Sequence, residues 1–485
     1  MKKLLSIILV IFFSSNGHFS FAQKVQVITS STSQKWVTLK KKEVKIEANA
    51  AKADITIFPE QKKQVIDGIG GSFNELGWTA VASLPADQQK EVFEALFSEE
   101  GCNFSMCRLP VGSSDYSLSY YSHAEVPEDF EMRDFNIVRD KYILIPYIKE
   151  ALKVRPDLKL WASPWSPPAW MKVNNHYSLR RGDVEGRPNG NRMPEGAEIM
   201  SNATAFKMQE RYLQAYALYF SKFVQAYAEE GVPLWAIMPQ NEIKWAPNWP
   251  ACTWRAEDMS YFIGKYLGPQ FEVDGLDTEI WLGTINNSNP DYVRTILNKE
   301  SDAKYISGVG FQWSGSKALP KIKEEYKGMK FMQTENMCGE HENDWTSVEA
   351  SWKMMVHYFQ NMTGSYMYWN MILDEEGNSA WGWPQNSMVV IDRDKQQVIY
   401  NDEYYLFKHL SHFVQPGAHY LASSKGDNHI AFELNDGRVM LMVYNPEEAE
   451  KSIAVNVSGT SATFKAQGKS ISSVIFTLQD EKMKS

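Results

Sequence analysis

Two glutamates stand out for the company they keep. Glu242 closes Pro239-Gln240-Asn241-Glu242, and Glu335 sits in Gln333-Thr334-Glu335-Asn336. Each follows a short apolar run and lies beside an asparagine. Two carboxyl groups so placed suit the breaking of a glycosidic bond. One protonates the leaving oxygen, and the other attacks the anomeric carbon or activates water there. The acid must hold its proton near neutral pH, while its partner must stay ionised. Arg108, near the end of another apolar run, is placed to favour that second charge. Taken singly, either Glu reads more readily as a surface carboxylate at the end of a strand; the pair carries the reading.

Other motifs carry less. Gly68-Ile69-Gly70-Gly71-Ser72-Phe73 has Phe where a dinucleotide-binding loop needs its last Gly. Glu340-His341-Glu342 lacks the spacing of a metalloprotease helix and reads as a solvated loop. Gly310 to Gly315 has no lysine where a phosphate-binding loop needs one, and Ser113 and Ser114 have no evident His partner. No metal and no organic cofactor is expected.

The apolar runs recur. Val65–Gly70, Phe104–Leu109, Leu158–Ala162, Leu234–Met238, Glu279–Leu282, Ile306–Phe311, Lys330–Gln333 and Ser365–Trp369 read as strands. Segments of helical period follow them, among them Asp87–Phe97, Asp140–Leu152, Ala205–Glu229 and Trp352–Gln360. Eight strand–helix units in series predict a (β/α)8 barrel over residues 61–414, with long insertions after the third and fourth strands. In such a barrel the site lies at the carboxyl ends of the strands; Glu242 and Glu335 end the fourth and seventh, which are expected to face each other across the ring. Residues 23–60 and 415–485 contain short alternating strands and turn signals, and together they predict a β-sandwich built from both chain ends.

Composition narrows the class. With 44% hydrophobic and 22% charged residues the chain is globular rather than disordered. A net charge of −9 gives no reason to expect a nucleic acid or an anionic membrane as partner. Lys2 and Lys3 precede the apolar stretch Leu4–Phe13, which is too short to span a bilayer. Residues 1–22 therefore read as a signal peptide cleaved after Ala22, giving a periplasmic or secreted protein without membrane insertion. Export permits disulfides, but Cys102, Cys107, Cys252 and Cys338 show no framework and are expected to be mostly free buried thiols. A monomer is compatible with all of this.

The stretches from Ile66-Asp67-Gly68-Ile69-Gly70-Gly71 to Phe413 resemble glycoside hydrolase family 30, which includes glucosylceramidases and endo-β-1,6-glucanases. The resemblance runs through Arg108-Leu109-Pro110-Val111-Gly112-Ser113-Ser114-Asp115-Tyr116-Ser117 and Ala162-Ser163-Pro164-Trp165-Ser166-Pro167-Pro168-Ala169-Trp170-Met171-Lys172. It continues through Gln240-Asn241-Glu242, Gln333-Thr334-Glu335-Asn336 and Trp369-Asn370-Met371-Ile372-Leu373-Asp374. It implies a barrel with a sandwich from both ends, and a retaining mechanism with Glu242 as acid/base and Glu335 as nucleophile. It further implies that Asn241 binds the sugar 2-hydroxyl, that Asp115, Trp165 and Trp369 shape the −1 subsite, and that Arg108 supports the nucleophile.

Many members of that family carry His-Trp-Tyr where this chain has Gln312-Trp313-Ser314, which weakens a glucosylceramidase-like reading. The segment from Trp381 to Met388 looks more like the endo-β-1,6-glucanase branch. Trp313, Trp381 and Trp383 either stack on glucose units outside the −1 site or pack their own loops. The expected substrate is a β-glucan or oligosaccharide. An exo-acting β-glycosidase, active on glucosides, xylosides or glucosylceramide, and a non-catalytic glycan-binding protein are the alternatives.

Overall fold

The computed structural model describes residues 22–48, 53–182 and 190–478. The expected leader therefore lies outside the described residues, apart from Ala22.

All eight expected runs become parallel strands of one closed barrel. In chain order these are Gly68–Ser72, Met106–Pro110, Lys159–Ser163, Ala236–Ile237, Glu279–Ile285, Ile306–Gln312, Lys330–Asn336 and Thr363–Asn370, here numbered one to eight. Strand eight pairs with strand one, which closes the ring. Strands four and seven stand three places apart round it, rather than diametrically opposite. Strand eight is buried along its whole length, as expected of a strand covered on both faces.

Glycine lets strands one and two approach. A Cβ on Gly70 would fall 1.9 Å from the carbonyl oxygen of Met106. The glycine-rich stretch of strand one is thus a packing device and not a nucleotide loop. Inside the barrel Met106, Trp161, Met238, Trp281, Met332 and Met367 are fully buried around Ala236 and close the lumen below the site. Burying a Trp side chain removes ~150–250 Å² from water, an upper bound of about 4–6 kcal/mol each. The four cysteines are buried as free thiols.

The expected insertions are present. Between strand three and the helix Glu210–Glu229, the described residues hold the short turn of helix Ala169–Met171. The segment after strand eight holds a small sheet of Ile372–Asp374, Val389–Asp392 and Gln397–Tyr400, which the sequence patterns did not predict.

Both chain ends meet in a ten-stranded sheet. Ala22–Ser31 lies between Val37–Thr38 and Ser470–Leu478, and Ile55–Val65 lies between His419–Ser423 and Lys451–Val457. The sheet curls so that apolar side chains from both halves, such as Val27, Ile57, Val443, Val455 and Phe464, share one core distinct from the barrel's. Because Ile55–Val65 is a strand of this sheet, the boundary expected at residue 61 shifts: the barrel begins after Val65. His409 ties the two bodies together, its ring nitrogens 2.8 Å from the Ser473 hydroxyl and 2.9 Å from that of Ser30.

Candidate active site

The carboxyl ends of the strands surround a cleft of about 470 Å³. Glu242 and Glu335 both line it, with Asp115, Trp165, Asn241 and Trp313. Sequence reasoning had singled out all six.

Arg108 organises the floor. Strand two points its side chain inward and buries it completely. Nη1 donates to one oxygen of Glu335 at 2.7 Å, and Nη2 donates to Asn241 Oδ1 at 2.7 Å. Nε and Nη2 share the hydroxyl of Ser163 at 3.2 and 2.9 Å. The guanidinium carbon lies 5.0, 4.4 and 5.4 Å from the rings of Trp161, Trp165 and Trp369. A buried cation with a carboxylate partner, satisfied donors and aromatic faces is held in one geometry.

Glu335 receives one donor on each oxygen. Arg108 serves Oε2, and the indole N–H of Trp313 donates to Oε1 at 2.9 Å.

Asn241 is fixed by its oxygen. Oδ1 accepts from Arg108 Nη2, from the Thr284 hydroxyl at 3.0 Å and from Gln312 Nε2 at 3.2 Å. Three donors around one atom settle which end of the amide is oxygen, and its NH₂ group is left for the cleft that Asn241 lines. Gln312 in turn accepts from the Thr334 hydroxyl at 2.8 Å. The Gln at this position is therefore a buried bridge between strands four and seven.

Glu242 follows Asn241 with φ at +51°, a left-handed turn that lifts its side chain off the end of strand four. Its backbone N–H donates to Thr284 Oγ1 at 3.0 Å. Burial, with Glu335 and then Asp115 as nearby negative charges, raises the Glu242 carboxyl above the usual range. The Asp115 carboxyl is pushed up to about 8, mainly by burial and next by Glu335. Among the described residues its Oδ1 is buried without a hydrogen-bond partner, an arrangement that a sugar hydroxyl would satisfy.

Trp369 and Trp381 do not line the cleft. Trp369 is 1% exposed and stands behind Trp165, ring centroids 4.9 Å apart. It supports the wall instead of forming it. Trp381, 5% exposed, packs 5.2 Å from Tyr120 in a side groove with His176 and Tyr177. The loop presents Trp383 to the cleft in its place.

Trp245, Trp249, Asn286 and Gln385 also line the cleft and were missed as site residues, and Ser314, part of the departure after strand six, lines it too. Trp245 is 49% exposed and Trp313 38%, so both offer ring surface to a ligand. Trp249 packs 4.5 Å from Trp383. The available signal was position: Trp245 and Trp249 lie on the turn that leaves Glu242. That turn is anchored by Lys172, whose buried ammonium donates to the carbonyls of Tyr177 and Ala251 at 2.5 and 2.6 Å. Gln385 is held by Asn370 Nδ2 at 2.8 Å. Glu340 and Glu342 are exposed, and Glu342 accepts from the Glu340 backbone, as a solvated loop would.

Known proteins share this build. The endo-1,6-β-D-glucanase neg1 of Aspergillus fumigatus is 26% identical over 82% of this chain and 79% of its own length. The lysosomal acid glucosylceramidase of Mus musculus is 24% identical over 83% and 79%. The solved structure of the endo-β1,6-glucanase BT3312 is 25% identical, with a TM-score of 0.76 over 93% of this chain and 99% of that one. The model of the glycosyl hydrolase family 30 TIM-barrel domain matches residues 66–414, which include every barrel strand and both glutamates, and the chain belongs to glycoside hydrolase family 30.

Proposed function

We propose that this glycosidase is a retaining endo-β-1,6-glucanase that works by double displacement, with Glu242 as acid/base and Glu335 as nucleophile. The observation that carries the reading is the contrast between the two carboxyls on one cleft. Glu335 has a cationic donor at 2.7 Å and a second donor on its other oxygen. Glu242 is raised by burial and by the charge of Glu335, so it keeps a proton to give. In the first step Glu335 bonds to the anomeric carbon while Glu242 protonates the departing oxygen. In the second, Glu242 takes a proton from water, which displaces Glu335.

Endo action on a glucan is supported by the exposed rings of Trp245 and Trp313 and by Trp249 and Trp383, which extend stacking surface beyond a single sugar. The relatives named as endo-1,6-glucanases point the same way, whereas the mouse glucosylceramidase supports the exo alternative. Residues 1–22 are proposed as a leader that sends the enzyme to the periplasm or outside, and the exported protein should then begin at Gln23.

The test is product analysis on β-1,6-, β-1,3- and β-1,4-linked glucans. Oligosaccharides released first from the β-1,6 polymer are expected. Glucose alone at the earliest times would reject endo action. Glu335→Gln, which keeps an oxygen for Arg108, should abolish hydrolysis with the melting profile retained.

A further inference from the structure

Glu335 must lose one of its two donors when it reacts, because the oxygen that bonds to the sugar becomes an ester oxygen and accepts hydrogen bonds poorly. The two donors differ in freedom. Arg108 is completely buried, bonded to Ser163 and Asn241 as well, and enclosed by three indoles. Trp313 is 38% exposed, lines the cleft and holds Oε1 through a single N–H at 2.9 Å. Its backbone sits at φ +48°, directly after the anchored Gln312.

We propose that Trp313 is the positioning residue for nucleophilic attack: its indole N–H aims the oxygen of Glu335 that faces away from Arg108, and that oxygen forms the bond to the anomeric carbon. The bond from the anomeric carbon to the leaving oxygen breaks as the new C–O bond forms, and the leaving oxygen takes the Glu242 proton. Arg108 stays on the other oxygen, which becomes the ester carbonyl. Trp313 releases its hydrogen bond. A ring that borders the bound sugar thus also orients the attacking group, which couples occupancy of the cleft to readiness for reaction. The inference rests on Glu335 being the nucleophile.

A 2-deoxy-2-fluoroglucosyl fluoride isolates the step, since fluoride leaves without help from Glu242. Trp313→Phe, and a variant carrying the benzothiophene analogue of Trp at position 313, both lack the N–H donor. The second keeps the shape of the ring. Both should be inactivated roughly tenfold more slowly, because the attacking oxygen of Glu335 is no longer held in its reactive orientation. The isosteric variant, which keeps the ring that borders the sugar, should hold its binding constant for the reagent within about twofold. Inactivation of the isosteric variant at the rate of the unaltered enzyme would overturn the proposal. In the structure of the trapped adduct, an ester on the oxygen nearer Arg108 would overturn it too. Labelling of Glu335→Gln would instead show that the nucleophile had been misassigned.

Discussion

Arg108 and Glu335 form a 2.7 Å ion pair at the floor of the cleft, with the arginine sealed from solvent and the carboxylate 8% exposed at its side chain. The pair joins strand two to strand seven. Two charges so deep are costly to bring out of water, and each is tolerated because the other is present.

Removing one partner should therefore be worse than removing both. Arg108→Ala is expected to lower stability by about 3–5 kcal/mol, since a carboxylate is left without its cation. Adding Glu335→Ala to that variant should recover part of the loss. Denaturant unfolding of the two single variants and the double variant measures the coupling. Strict additivity would mean that the pair contributes nothing of its own.

Glu242 gives a prediction in pH. Its carboxyl is raised above the usual range by burial, Glu335 and Asp115, so the acid form persists to higher pH than in a free glutamate. Activity that needs this proton should fall as pH rises through the raised value. In Glu242→Gln that alkaline limb should vanish from kcat/KM, and turnover of β-glucan should drop by roughly 10²–10⁴. Formation of the glycosyl-enzyme from a dinitrophenyl glycoside should suffer far less, because its leaving group needs no acid. An equal loss on both substrates would remove Glu242 from the role of acid.

His409 sets part of the acid stability. Burial, with His412 and Lys408 nearby, lowers its imidazole to about 3. The unfolded chain takes up a proton near the ordinary value of about 6.5, whereas the folded protein resists it. The stability tied to a neutral His409 is complete above pH 6.5 and drains away between there and about 3. His409→Gln should flatten the unfolding free energy across this window. A slope identical to that of the unaltered protein would show that other groups carry the dependence.

The barrel was readable because its strands are apolar runs with fixed followers, and each run became a strand. Glu242, Glu335 and Arg108 were readable because strand ends converge whatever the loops do. Trp381 and Trp383 were harder. They lie two residues apart in one irregular loop, and only the path of that loop decides which ring faces the cleft. Trp369 ends a strand as expected, yet Trp165 stands in front of it. Gln312 looked like a lost contact. Its bonds to Asn241 and Thr334 depend on neighbours from two other strands, which no local pattern reveals.

The sheet made from both ends imposes an order of events during synthesis. Val25 is registered against Phe476, and Ile57 against both Ser423 and Val457. The strands up to Val65 are made before the barrel, but these partners are made only after it. Through most of translation these early segments lack most of their partners and expose sticky edges, while the barrel behind them can already gather its own core. A ribosome stalled near residue 414 would thus hold a chain with every barrel strand made, while Ala22–Ser31 has only Val37–Thr38 to pair with and Ile55–Val65 has neither of its partners.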